Sequence, residues 1–157
     1  MNPEPKSLLE MNERERAKWF PNLRNDNFHK TSDETNLYNC VAWVNGIQDY
    51  LVDLSIDEEG NPRIEDQYLY PNAYINYFEE QGFALCDDPA LEEGIEKIAL
   101  YIHRNGTFEH VARQLPNGHW TSKVGEYEDI EHYTLEALEK PDYYGKASVF
   151  MQRPRVS

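Results

Sequence analysis

The chain has 157 residues, enough for one domain with a buried core. Its 29 acidic residues against 15 basic ones give a net charge of −14, which argues against a phosphate-tracking nucleic-acid surface and against attraction to anionic membranes. No apolar run approaches the roughly 20 residues of a membrane span, the N-terminus is too polar for a signal peptide, and two cysteines fit a reducing compartment, so a cytoplasmic protein is expected.

In chain order, residues 7–19 read as a helix, with Ser7 as its cap and Leu8, Leu9, Met11 and Trp19 available to pack. Pro21 ends it. Residues 22–35 are polar and irregular and close an N-terminal segment, 1–35, ahead of a single domain at 36–153. That domain opens on Asn36-Leu-Tyr-Asn-Cys-Val-Ala-Trp43. From Cys40 to Leu54 the residues Cys40, Trp43, Val44, Ile47, Leu51 and Leu54 recur at helical steps, and Asn36 or Asn39 can cap the start. A thiol in a first helical turn feels the positive end of the dipole, which favours thiolate. Cys40 is therefore the candidate nucleophile, with a packed core thiol as the structural alternative.

Residues 55–63 form a turn-rich acidic loop without calcium-loop spacing. Pro71 to Gln81 predicts a short amphipathic helix presenting Ala73, Tyr74, Tyr77 and Phe78, stopped at Gly82. Phe83 to Cys86 reads as a strand, and the acids after Cys86 disfavour a thiolate there.

Three β-type runs, 97–103, 107–115 and 119–124, are separated by Asn105-Gly106 and Asn117-Gly118, the signature of an antiparallel meander. Two-residue loops would set Tyr101 opposite His110, Ala112 opposite Lys123 and His110 opposite Gly125. One face then carries Ile98, Leu100, Ile102, Val111, Leu115, Trp120 and Val124. The other carries Ala99, Tyr101, His110, Ala112, Lys123 and Gly125, and its small residues invite a close-packed helix. A cysteine helix lying there would bring Cys40 to His110 as a thiol–imidazole pair.

Asp129 is the expected group orienting His110, with Glu126, Glu128 and His132 as substitutes. The Cys40 amide would serve the oxyanion, with Tyr38 or Asn36 as a second donor. Tyr38, Asn39, Tyr101 and Lys123 are the candidate substrate-binding residues. A metal site from His103, His110 and Cys40 matches no ligand spacing, so neither metal nor cofactor is expected. A helix at 134–140 and a last strand within 143–152 complete the chain.

This order of parts (a Cys opening a helix, a His opening a strand of an antiparallel sheet, a polar residue one strand later) resembles the compact papain-like cysteine hydrolases, including the NlpC-type and CHAP-type amidases that cut cell-wall peptides. Tyr38-Asn-Cys-Val-Ala-Trp43, Glu96-Lys-Ile-Ala-Leu-Tyr101, His110-Val-Ala-Arg-Gln-Leu115, Trp120-Thr-Ser-Lys-Val-Gly125 and Asp129-Ile-Glu-His132 look like a bacterial domain family with the same Cys and His pattern, over about residues 36 to 153. The resemblance implies a papain-like α+β fold, with N-terminal helices, the cysteine helix among them, packed on the meander. It also implies a cysteine hydrolase or acyltransferase acting on a peptide, amide or thioester bond. The alternative is a binding or regulatory module of that shape without turnover, such as an immunity-type or partner-masking protein.

Overall fold

The computed structural model describes residues 8, 11–32, 39–45, 70–124 and 129–155, with Glu13 described by its backbone alone. Asn36, Tyr38, the cysteine helix beyond residue 45, the 55–63 loop, Gly125, Glu126 and Glu128 lie outside the described residues.

The architecture is α+β, built on a seven-stranded antiparallel sheet. Short helical elements α1 (Glu13–Arg16), α2 (Cys40–Trp43) and α3 (Pro71–Glu80) alternate with strands β1 (Phe28–Lys30) and β2 (Ala84–Cys86). Strands β3 (Ile95–Ile102), β4 (Phe108–Gln114), β5 (Trp120–Lys123) and β6 (Asp129–His132) follow. A 3-10 turn at Leu135–Leu138 then leads to β7 (Lys146–Pro154). The spatial order is β1-β6-β5-β4-β3-β7-β2. Among the described residues no helix is long and apolar enough to cross a membrane.

Period-2 alternation along β3 and β4 sends Ile98, Leu100 and Val111 to one face and Ala99, Tyr101 and Ala112 to the other. Met151 joins the first set, which lies beneath Val41 and Val44 of the α2 region and Phe78 and Phe83 of the α3 region. Phe20, Leu23, Leu135, Leu138 and Tyr144 cover the second. Each large apolar side chain fully removed from water contributes about 1.5–3 kcal/mol, so the two layers hold the sheet between them. The small-residue face is thus filled by the N-terminal segment and the 3-10 turn. The cysteine helix packs on the opposite face from the one expected.

The hairpin turns explain a second departure. Both Asn-Gly turns are three-residue loops closed by His103 N–H to Thr107 O (2.8 Å) and Leu115 N–H to His119 O (2.7 Å). Gly106 and Gly118 take the left-handed conformation, at φ +95° and +88°. Each turn therefore moves its register one residue from that of a two-residue loop. In the first hairpin a bulge cancels the move: Ile102 pairs with Phe108 but Tyr101 with His110, leaving Glu109 extra. Nothing cancels it in the second, where Arg113 pairs with Thr121 and Gln114 with Trp120. The faces of β5 are exchanged as a result. Trp120 and Val124 join the Tyr101 cluster, Ser122 moves to the His110 side, and Lys123 goes to the side of α2.

Other expectations shift with local chemistry. Helix α1 is capped by Asn12, whose side chain accepts from Glu15 N–H (2.8 Å); Ser7, the expected cap, lies outside the described residues. Fully buried Arg16 gathers that segment by donating to Leu23 O, Leu8 O and Asn25 Oδ1 (3.0, 3.1 and 2.7 Å). Trp19, expected to pack, is 47 % exposed. The stretch taken as an irregular approach contains β1, and the acidic run after residue 125 ends in β6, the two paired through Phe28 and His132. The expected helix at 134–140 is one 3-10 turn. Helix α3 and strand β2 fall where composition puts them, with Gly82 left-handed at φ +95° beyond the helix end.

Candidate thiol–imidazole site

Asn39 caps α2: its backbone is extended and its side-chain oxygen accepts from Ala42 N–H (3.0 Å). That cap places Cys40 as the first helical residue and spends the Asn39 side chain on the backbone. Trp43, one turn on, anchors the helix by donating Nε1–H to Thr121 Oγ1 of β5 (2.9 Å). Between these two fixings the Cys40 thiol meets the backbone amide of Val111 in β4. Cys40 as a residue is half-buried, yet burial of the thiol dominates and pushes it up to about 11. The amides of Val111, Val41 and Cys40 and the charge of Lys123 pull the other way without prevailing. Cys40 rests as a thiol.

Val111 follows His110 directly, so the sulfur lies at the peptide that carries the imidazole. The His110 ring itself points to the Tyr101 side of the sheet and is fully buried. The Tyr144 ring stacks on it at 4.5 Å and 13°, and burial, with Cys40 adding to it, holds the Tyr144 hydroxyl well above the usual tyrosine range. Among the described residues no hydrogen bond joins Cys40 to either His110 nitrogen.

What holds His110 is a buried chain. Its Nε2 lies 3.0 Å from Ser122 Oγ, which lies 2.7 Å from His132 Nε2, while His132 Nδ1 lies 2.8 Å from Thr134 O. Burial pushes His132 down to about 4 and His110 well below the usual histidine range, with the neighbouring His132 adding to the second shift. Both rings are therefore neutral at pH 7. A carbonyl can only accept, so His132 Nδ1 carries its proton and Nε2 is bare. Ser122 must then donate to His132, and its oxygen can only accept from His110 Nε2–H. The proton count leaves His110 Nδ1 as a bare lone pair, buried and, among the described residues, without a hydrogen-bond partner. The chain fixes the tautomer a general base requires.

The remaining candidates are dispersed. Asp129 is buried at the start of β6, opposite Lys123, and the His110 nitrogen it was expected to hold is taken by Ser122. His132, one of its substitutes, enters one bond further out. Tyr101 is fully buried and donates its hydroxyl to Leu135 O (2.6 Å), leaving no surface for a ligand. Lys123 is fully buried on the Cys40 side. His103 sits in the first hairpin turn, where its Nδ1 accepts from Asn105 N–H (3.1 Å). Among the described residues no group of His, Cys, Asp and Glu could hold a metal ion. Ser122 and Tyr144 escaped sequence reasoning. Ser122 was findable had the turn been read as a three-residue loop; Tyr144 carries no local signal.

No curated protein and no solved structure matches the chain. Residues 29–152, from β1 into β7, match the family described as Domain of unknown function (DUF7689), which takes in Cys40, His110, Ser122 and His132. The chain belongs to that family.

Proposed function

We propose that Cys40 and His110 are the reacting pair of a cysteine hydrolase or acyltransferase, acting on a peptide, amide or thioester bond in a frame resembling the compact papain-like hydrolases. The observation that carries this reading is the bare, partnerless Nδ1 of His110, held in that state by Ser122 and His132. A buried lone pair without a donor is costly, and one next to the peptide that touches a thiol has a use. The pair rests uncharged. Cys40 packs on the α2 face and the His110 ring on the other, so the reaction requires α2 and β4 to shift until the sulfur meets Nδ1; as sulfur bonds to the substrate carbonyl carbon, the thiol proton passes to Nδ1. The new imidazolium is supported through Nε2–H and Ser122. The leaving amine or thiol then takes that proton as its bond to carbon breaks. Water or an acceptor nucleophile releases the acyl group from Cys40, giving a proton to His110 and returning one to the sulfur.

A second reading, a binding or regulatory module without turnover, draws on a specific observation too: the thiol is pushed up to about 11 and the imidazole is neutral, so no reactive ion pair stands ready. The pH dependence of Cys40 acylation by p-nitrophenyl acetate separates the two. Base-assisted attack gives a rate that is level from about pH 6.5 to 9, because His110 is already deprotonated throughout. It should fall at least about tenfold in His110→Ala. A rate that climbs about tenfold per pH unit over that range, unchanged in His110→Ala, follows the free thiolate alone. That outcome would discard the hydrolase and leave the module.

A further inference from the structure

The overall charge of −14 disfavours anionic ligands, yet one corner of the sheet concentrates the opposite sign. Arg153 and Arg155 both act on Arg113 there, and the Glu96 carboxylate opposes them. Two of the three guanidinia are occupied. Arg153 donates to Gln81 O (2.9 Å), lies 3.6 Å from Glu96 Oε1 and covers the Phe83 ring at 4.1 Å. Arg155 points to Ile95 O (3.4 Å) and Gln114 O (3.3 Å).

Arg113 is different. Half-buried, it lies over the Trp43 ring at 5.5 Å, and among the described residues no hydrogen bond or ion pair engages its guanidinium. Desolvation and the two neighbouring arginines press its charge down from the usual value. Its place is adjacent to the thiol: Val111, whose amide meets Cys40, is two residues before it on the same face, and Trp43 is one turn after Cys40.

We propose that the Arg113 guanidinium, stacked on Trp43, receives a carboxylate borne by a peptide ligand at the Cys40 site. One unengaged fork of donors matches the two oxygens and single charge of a carboxylate. A phosphate dianion would ask for donors that Arg153 and Arg155 already spend on carbonyls. That the ligand is also the substrate rests on the hydrolase reading; the binding does not. The shared chemistry is a carboxylate, supplied by an acidic side chain or by a peptide C-terminus.

The full chain, labelled with 15N, reports through the Trp43 indole N–H resonance, identified by its loss in Trp43→Phe. The probes are N-acetyl-glutamate amide (side-chain carboxylate), N-acetyl-alanine (C-terminal carboxylate), N-acetyl-alanine amide (neutral) and inorganic phosphate. At least one carboxylate probe should shift the resonance saturably, and which of the two binds tighter identifies the source. The neutral amide should have no effect and phosphate should bind more weakly. Arg113→Gln should weaken binding by at least about tenfold, Arg113→Lys, which keeps the charge without the fork, by less, and Arg24→Gln on the remote surface not at all. No saturation, an equal response to the neutral amide, tighter phosphate, or undiminished binding in both Arg113 variants would each overturn the assignment. Binding that persists in Cys40→Ala while wild type shows no base-assisted acylation would keep the carboxylate site and remove the hydrolase.

Discussion

Replacing Ser122 by Ala removes the one atom that joins the two buried imidazoles. Its hydroxyl spans 3.0 Å to His110 Nε2 and 2.7 Å to His132 Nε2, and all three residues are fully buried. The variant leaves a buried N–H on His110 and a buried lone pair on His132, each unsatisfied. At about 1–3 kcal/mol for each such group, less the small relief of removing a polar oxygen from the core, the destabilisation comes to about 2–4 kcal/mol. Urea unfolding followed by tryptophan fluorescence measures it, and the transition midpoint should fall with little change in slope. The same substitution frees the His110 tautomer. Ring 15N shifts, which tell a protonated nitrogen from a bare one, should show Nε2–H alone in wild type and a mixture in Ser122→Ala. A cost below about 0.5 kcal/mol, within the range of a neutral surface change, would refute the relay. So would a wild-type His110 protonated at Nδ1.

Acid should weaken the fold through the same histidines. His132 is held down to about 4 against an ordinary 6.5, and a neutral buried base is a folded-state preference that protons oppose. Above pH 6.5 both states are neutral and nothing is lost; between 6.5 and 4 the unfolded chain binds the proton and the folded chain does not. Stability therefore declines as pH falls, by up to about 3 kcal/mol from His132, with His110 adding in the same direction. Urea midpoints between pH 7 and 5 measure this, and a His132→Asn variant should show the shallower slope; equal slopes would contradict the assignment. Two glycine substitutions provide a steric comparison. Gly94 and Gly145 are both left-handed (φ +77° and +82°), but a methyl on Gly145 would sit 1.9 Å from Ile102 O, whereas one on Gly94 meets nothing within 4 Å. Gly94→Ala should cost about 1 kcal/mol, the price of the conformation alone. Gly145→Ala should cost at least about twice that, since the Ile102 carbonyl is backbone that must move. Thermal unfolding decides between them.

The sheet was legible where a pattern of period two ran long enough to be counted. Residues 95–102 and 108–114 keep their alternation, and Tyr101 faces His110 as counted from the Asn-Gly turn. That agreement has an unexpected cause, because the turn is a three-residue loop and the Glu109 bulge restores what the loop displaced. Without a bulge, the same turn chemistry in the second hairpin exchanged Ser122 for Lys123. Strands β1 and β6 were illegible for a different reason. In β1 His29 and Lys30 are exposed, and in β6 Asp129 and His132 are polar yet buried, so neither strand carries a hydrophobic alternation to read. The packing face of α2 lay beyond local reading as well, since it depends on which distant segment fills the small-residue layer first. Phe20, Leu138 and Tyr144 do so here.

That displacement changes the kind of chemistry the site can do. A cysteine helix on the small-residue face would have set thiol and imidazole side by side and favoured an ion pair at rest. With α2 on the other face, the sulfur lies among the amides of Val111, Val41 and Cys40 and stays protonated, while the imidazole takes its order from Ser122 and His132. An ion pair would expose a thiolate to every oxidant and electrophile in its surroundings. In the proposed reaction a neutral pair reacts only when something draws the sulfur to Nδ1, and a ligand carboxylate seated on Arg113, which lies over Trp43 one helical turn after Cys40, is proposed to do that. Reactivity would then be a property of the complex. The measurable consequence is that a saturating carboxylate probe, such as N-acetyl-alanine, should accelerate Cys40 acylation in wild type and leave Arg113→Gln unaffected. Acceleration in both proteins would break the link between the two sites.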